Sequence, residues 1–186
     1  MRINLPNGLT IARILMVPLM VIAFYLPFRG TNLIAAAMFT IAAITDWLDG
    51  YLARRYQQTS DFGAFLDPVA DKLAVTVALF LIVQADKTAL MAVTAAIIVG
   101  REITISALRE WMAAIGERTK VGVAWLGKVK TVVQMIAIII LLLQHRYVGK
   151  PLYWFGKALL IAAAALTIWS AVVYLRAAWP VIRSRA

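Results

Sequence analysis

Four aspartates, spaced as on helices, are the residues of this chain whose types and positions best fit a chemical role. Asp46 and Asp49 lie three residues apart, and Asp67 and Asp71 lie four apart, inside segments that are otherwise apolar. A carboxylate at membrane depth costs roughly 2.5–3.5 kcal/mol, so four unpaired carboxylates would cost on the order of 10 kcal/mol. We therefore predict that they converge on a divalent-metal site at the membrane edge.

The elements that must position these aspartates are apolar helices. The chain has 186 residues and is 63% hydrophobic, whereas soluble domains are about 45–50% apolar. Runs of about 20 apolar residues recur, and each is long enough to cross a bilayer. We predict an all-α integral membrane protein with a single domain over residues 1–186. Its six transmembrane helices are expected at roughly 7–28, 32–54, 62–84, 88–114, 122–144 and 152–178.

Charge and composition restrict the chemistry further. The chain has no cysteine and one histidine, His145, to which we assign no role, so a metal here must be oxygen-ligated: magnesium, manganese or calcium. The net charge of +10 is explained by cytoplasmic loops, with no nucleic-acid partner. Placing both termini in the cytoplasm puts most of the 19 Lys and Arg residues on the inner side, as membrane proteins prefer. The aspartates then lie near the cytoplasmic face.

Helical periodicity places the polar residues of this stretch on two facing surfaces. At 100° per residue, one helix carries these residues on an arc of about 140°, formed by Asp46, Asp49, Gly50, Ala53 and Arg54. The next helix carries an arc of about 80°, formed by Gly63, Asp67 and Asp71. The two glycines allow a ligand to approach the backbone, or they serve close helix packing. Four carboxylates suit two magnesium-class ions about 4 Å apart, and Asp71 could also accept a proton. A proton or sodium path is the alternative, but it leaves Arg54 and the glycines unexplained.

The same residues carry a family resemblance. Their order, D-x2-D-G-x2-A-R-x8-G-x3-D-x3-D, resembles the signature of the CDP-alcohol phosphatidyltransferases at all eight positions. The resemblance implies a six-helix membrane domain, usually a homodimer, that transfers a phosphatidyl-type group from a CDP-linked donor to an alcohol and releases CMP. It implies two divalent cations, Mg²⁺ or Mn²⁺, held by Asp46, Asp49, Asp67 and Asp71, with Asp71 as the catalytic base. It also implies that the donor's nucleotide is lined by Gly50, Ala53, Arg54 and Gly63.

The first helix offers three further donor-binding candidates. Asn7, Thr10 and Arg13 span about 120° of its surface, and by resemblance they approach the CDP moiety. The alternative is that they form only a helix start with an anchoring arginine.

Cations beyond the signature indicate the acceptor. Arg101 and Arg109 share a helix face, about 80° apart. Lys128 and Lys130 point in different directions, and we predict that Lys128 faces the site. These three residues, Arg101, Arg109 and Lys128, would bind an acceptor phosphate, although long basic side chains also serve as membrane anchors. The segments NLPNGLTIAR, LDPVADK and GREITISALRE resemble bacterial members of the family that use CDP-diacylglycerol and glycerol 3-phosphate. The resemblance implies a bacterial cytoplasmic membrane enzyme whose active site faces the cytoplasm.

Three alternatives stay open at this point. Another family member would use a different acceptor alcohol, such as inositol phosphate or phosphatidylglycerol. A membrane prenyltransferase would carry a second Asp-rich motif, which this chain lacks. An ion-coupled transporter would favour half-chain repeats with broken helices, which are not evident in the sequence.

Overall fold

Helices account for nearly all of the chain that the structure describes. The computed structural model describes residues 5–28, 30–56, 61–116 and 124–185. The helices are α1 (Leu5–Tyr25), α2 (Thr31–Tyr56), α3 (Asp61–Asp86), α4 (Ala89–Ala114) and α5 (Ala124–Arg185). The all-helical prediction is confirmed.

The last helix, α5, is broken in its middle. Gln144 (φ 58°, ψ 167°) and Gly149 (φ 77°, ψ 159°) leave helical geometry, which separates a first half (residues 124–143) from a second half (residues 150–185). The two halves pack closely, because a Cβ added to Gly156 would lie 2.7 Å from Cγ2 of Ile140. The helices therefore occupy all six predicted segments, and α5 supplies two of them.

Length and apolarity distinguish these helices from one another. Within the described residues, four segments are long and apolar enough to cross a membrane: Gly8–Tyr25, Pro68–Asp86, Ala89–Ala114 and Arg146–Arg183. The apolar parts of α2 and of the first half of α5 are shorter, Thr31–Asp46 and Val129–Gln144. In α2 the apolar stretch ends where the predicted site begins, because acidic and basic residues follow Asp46.

One apolar core joins all the helices. α1 packs against α2 and α3, and α4 packs against α3 and α5. Large buried side chains from every helix meet in this core, including Met20, Phe39, Leu79, Ile98, Leu141 and Leu160. Because protein interiors are close-packed, this core fixes the relative positions of α1 to α5. It therefore also fixes the positions of the polar residues that the helices carry towards one end of the bundle.

A buried ion pair ties α3 to the second half of α5. The Asp86 side chain is only 3% exposed and lies 2.6 Å from Nζ of Lys157. The Tyr153 hydroxyl donates a hydrogen bond to Asp86 at 2.8 Å, and Thr88 donates another. The Lys157 ammonium also lies over the ring of Trp154, 4.6 Å from its centroid. At 1.5 Å per residue, this cluster is about 22 Å along α3 from Asp71, so we interpret it as structural.

We expect Lys157→Met to destabilise the fold without altering the chemistry. The substitution leaves the Asp86 carboxylate without its cation, and breaking a buried pair in this way costs about 3 kcal/mol, the low end for such pairs. Thermal unfolding in detergent should shift to lower temperature, while turnover per folded molecule stays at the wild-type rate. Lys150→Met, which removes an exposed lysine of the same helix, is the matched control. Equal stability of the two variants would contradict the structural role.

Candidate active site

A buried arginine of α1 meets the first aspartate of the signature. Nη1 of Arg13 lies 2.6 Å from Oδ1 of Asp46, and the Arg13 side chain is 1% exposed whereas that of Asp46 is 43% exposed. Thr10, one turn earlier on α1, is also buried. The ion pair occupies one oxygen of the Asp46 carboxylate, and a carboxylate offers about four lone-pair sites on two oxygens. Asp46 therefore keeps capacity for a second cationic partner.

Asp71 lies between two clefts. The Arg13 cleft, about 200 Å³ including its open side, is bounded by α1, α2, α3 and α5; its wall includes Arg13, Phe39, Asp71 and Met135. The Glu102 cleft, about 430 Å³ including its open side, lies between α3, α4 and the first half of α5; Asp71, Lys72, Glu102 and Gln134 line it. Asp71 is the acidic residue shared by both clefts, so a group bound in either one can reach its carboxylate.

The charges around Asp71 come from three other helices and from α3 itself. Asp46, Glu102, Arg13 and Lys72 all interact electrostatically with Asp71. Like charges from Asp46 and Glu102 would repel the Asp71 carboxylate at this range. The arrangement therefore concentrates negative charge that a cation would neutralise.

Eight of the predicted site residues have side chains outside the described part of the structure. The helical backbone places Asp49 one turn after Asp46 on α2, and Asp67 one turn before Asp71 on α3. Their side chains are not described, and the same holds for the other predicted residues in this group: Asn7, Gly50, Ala53, Arg54, Gly63 and Lys128. The roles predicted for all of these residues stay predictions.

The described residues contain two of the four predicted metal ligands. Asp46 and Asp71 are both close to the Arg13 cleft. Within the described ranges, no three His, Cys, Asp or Glu side chains are grouped to hold a metal ion. The available donors are carboxylate oxygens, which suit Mg²⁺ or Mn²⁺. The described part of the donor set therefore fits such ions in chemistry, while the full set depends on Asp49 and Asp67.

Glu102 gathers cations on the far wall of the Glu102 cleft. Its Oε1 accepts hydrogen bonds from Nζ of Lys130 at 2.7 Å and from Nη1 of Arg101 at 3.2 Å. Nη2 of Arg101 donates to Oγ of Ser170 at 2.8 Å, which links α4 to the second half of α5. One carboxylate thus holds two cations beside the cleft, leaving an excess of positive charge.

Lys72 is a further cation of the cleft that the sequence prediction did not single out. Its ammonium donates a hydrogen bond to Oγ of Ser106 on α4, and it lines the Glu102 cleft next to Asp71. Its position directly after Asp71 in the sequence was the available signal. A residue directly after the predicted base points about 100° away from it around the helix axis, so the Lys72 side chain can line the neighbouring cleft.

The predicted acceptor-phosphate residues have different environments. Arg101 is partly buried in the Glu102 group, while Arg109 is exposed with its guanidinium 5.4 Å from the ring centroid of Tyr174. Arg109 still interacts electrostatically with Lys130. Lys130, which the sequence prediction ranked behind Lys128, is buried and paired with Glu102. The Glu102 carboxylate on α4 lies 2.7 Å from Nζ of Lys130 although the two residues are 28 positions apart in the sequence, so wheel angles alone could not identify this pair.

Comparison with known proteins gives the class of this helical site. The chain belongs to the CDP-alcohol phosphatidyltransferase family, whose sequence profile matches residues 3–169. The chain is thus a member of a transferase family, and it has several apolar helices that are long enough to cross a membrane.

Several curated bacterial relatives match nearly the whole chain. A protein of Sodalis glossinidius named CDP-diacylglycerol–glycerol-3-phosphate 3-phosphatidyltransferase is 50% identical over 178 residues, which cover 96% of this chain and 96% of the relative. The Haemophilus influenzae protein of the same name is 51% identical over 178 residues, with 96% and 95% covered. The Pseudomonas fluorescens protein of that name is 48% identical over 188 residues, with 97% and 93% covered.

Proposed function

We propose that this chain transfers the phosphatidyl group of CDP-diacylglycerol to glycerol 3-phosphate, giving phosphatidylglycerophosphate and CMP. The observation that carries the proposal is the identity of about half of all residues, over nearly full length, to relatives whose name states this reaction. The surroundings of Asp71 support it, because Arg13 on one side and the cations beside Glu102 on the other place positive charge on both sides of one carboxylate.

The reaction balances as a single displacement at phosphorus. The primary hydroxyl of glycerol 3-phosphate attacks the phosphorus on the lipid side of the donor's diphosphate. A bond forms between the hydroxyl oxygen and that phosphorus, and the bond from phosphorus to the CMP oxygen breaks. The hydroxyl proton goes to a carboxylate oxygen of Asp71, which is in reach of either cleft. CMP leaves with the electron pair of the broken bond.

Arg13 would contribute to the donor side of this reaction. Its guanidinium is buried against Asp46 and lines the Arg13 cleft with Asp71. Guanidinium groups suit phosphate oxygens, since their planar array of N–H donors can form two parallel hydrogen bonds. Asn7, Thr10, Gly50, Ala53, Arg54 and Gly63 are proposed to complete the donor site.

The acceptor phosphate is proposed to bind on the Glu102 side. Arg101, with Lys130 and Lys72, supplies positive charge there, and Arg109 and Lys128 are the further candidates. Opposite charge near a groove attracts an anionic substrate and discriminates against cationic ones. An acceptor with its own phosphate therefore fits this cleft better than choline or ethanolamine would.

Two divalent cations, Mg²⁺ or Mn²⁺, are part of the proposal, with Asp46, Asp49, Asp67 and Asp71 to hold them. Bound cations would offset the negative charge of the diphosphate and so make CMP a better leaving group. The chain's own contribution is to present carboxylates from α2 and α3 towards one end of the bundle. Asp46 retains an oxygen beyond its bond to Arg13, and its side chain is open to one side.

We also propose how the chain is arranged in the membrane. Six spans with both termini in the cytoplasm would place the active site at the cytoplasmic face of the bacterial inner membrane. The lipid tails of the donor would then stay in the bilayer while the soluble acceptor enters from water. A homodimer is proposed from the family resemblance.

One assay tests the reaction and the acceptor together. Purified protein is given CDP-diacylglycerol and Mg²⁺, with glycerol 3-phosphate, inositol phosphate or phosphatidylglycerol as acceptor, and CMP release and lipid products are measured. We expect CMP release to be fastest with glycerol 3-phosphate and to be matched by phosphatidylglycerophosphate. Preference for another acceptor would reassign the substrate within the family. Absence of CMP release with every acceptor would remove the transferase proposal and leave the transporter alternative.

A further inference from the structure

The wall of the Glu102 cleft, as far as the structure describes it, carries a buried polar atom that makes no hydrogen bond. Gln134 lies on the first half of α5 and is only 4% exposed. Its Oε1 is buried and has no hydrogen-bond partner among the described residues, yet the residue lines the cleft together with Asp71. Buried polar atoms are nearly always hydrogen-bonded, so such an atom in a cleft needs an explanation.

Among the residues that the structure describes, no side chain donates a hydrogen bond to this oxygen, although the hydroxyls of Thr76 and Thr131 line the same cleft. Ile98, Val99 and Met135 on the cleft wall are apolar. The nearby ammonium groups make other hydrogen bonds: Lys72 donates to Ser106 and Lys130 donates to Glu102. A donor that enters the cleft from outside would therefore satisfy Oε1 of Gln134 without breaking an existing contact.

We propose that Gln134 determines acceptor specificity by accepting a hydrogen bond from the second hydroxyl of the acceptor, the one that does not attack. This inference rests on the proposed function. Asp71 lines the same cleft and takes the proton of the attacking hydroxyl. The second hydroxyl is on the adjacent carbon of the acceptor, so it enters the same cleft. An acceptor with two neighbouring hydroxyls and a phosphate would then meet Asp71, Gln134 and the cations beside Glu102 together.

The chemistry of this position favours discrimination over simple affinity. A site built to hydrogen-bond a hydroxyl rejects an analogue that lacks it, because the buried protein group is then left unpaired. An apolar side chain at position 134 would remove that penalty. The expected consequence is a change in the ratio of two substrates, which a merely structural role of Gln134 would not produce.

The test compares glycerol 3-phosphate with 3-hydroxypropyl phosphate, which keeps the attacking hydroxyl and the phosphate but lacks the middle hydroxyl. For the wild-type protein we expect kcat/KM to favour glycerol 3-phosphate by about tenfold or more. Gln134→Met should bring the two values to within about threefold, mainly by loss of activity on glycerol 3-phosphate. Gln134→Glu keeps an acceptor oxygen and should retain the preference. Met135→Leu, at an apolar position of the same cleft, is the matched control and should retain it as well.

Several outcomes separate this inference from the proposed function. Equal use of the two phosphates by the wild-type protein overturns the role of Gln134 without any variant. An unchanged preference in Gln134→Met overturns it too, even if total activity falls. If Gln134→Met does not fold, Gln134→Leu takes its place: an unchanged preference in that variant overturns the role, and loss of the preference supports it. Activity on neither phosphate, with activity on a different alcohol, contradicts the proposed acceptor instead.

Discussion

Asp71→Asn is expected to lower CMP release from CDP-diacylglycerol by about a hundred- to ten-thousandfold, the usual contribution of a general base. The amide keeps the size of the side chain but cannot take the proton of the attacking hydroxyl. Asp71 lies on the walls of both clefts, so no other described carboxylate is in the same position to replace it. The loss should appear in kcat more than in the KM for glycerol 3-phosphate, because proton transfer belongs to the transition state.

The control for this experiment is an acid that is not in the site. Glu110→Gln changes an exposed carboxylate of α4 and should leave CMP release at the wild-type level. Both variants should show the same helical content by circular dichroism and the same unfolding temperature within a few degrees. A folded Asp71→Asn protein with full activity would remove Asp71 as the base, and the remaining aspartates would have to be tested in turn.

Local periodicity was enough to predict the helices of this chain. The apolar runs predicted the helical segments because each is about 20 residues long, and the break of α5 at Gln144 and Gly149 falls at the predicted boundary between segments 122–144 and 152–178. Arg101 and Glu102, which are adjacent on α4, pair at 3.2 Å. Adjacent residues on one helix are constrained by that helix alone, so their relation can be derived from the sequence.

Contacts between helices that are distant in sequence could not be predicted in the same way. The bond of Arg13 to Asp46 joins α1 to α2, and the bond of Lys130 to Glu102 joins α5 to α4. Each depends on the rotation and depth of two helices, which the shared core sets. A wheel treats each helix alone, so it could not show that Lys130 pairs with Glu102 or that Lys72 and Gln134 line the Glu102 cleft.

Removal of divalent cations is the second change from which we expect a very large effect. After treatment with EDTA, CMP release should fall by about a thousandfold, since several kcal/mol of charge stabilisation at the transition state are lost and each 1.36 kcal/mol is a factor of ten in rate. Added Mg²⁺ or Mn²⁺ should restore it. The aspartates make this expectation specific: the Asp46 and Glu102 carboxylates each act electrostatically on Asp71, and the diphosphate of the donor would add more negative charge.

A variant of Asp46 separates a cation site from a general need for salt. Asp46→Asn removes one negative ligand but keeps an oxygen that can still accept from Arg13, whose bond to Oδ1 is 2.6 Å long. The Mg²⁺ concentration for half-maximal CMP release should rise by about tenfold or more in this variant, whereas Glu110→Gln should leave it unchanged. Full activity in EDTA would contradict the cation requirement, and the developing charge would then have to be stabilised by Arg13 and the cations beside Glu102. An unchanged Mg²⁺ requirement in Asp46→Asn would leave the cations but remove Asp46 from their ligands.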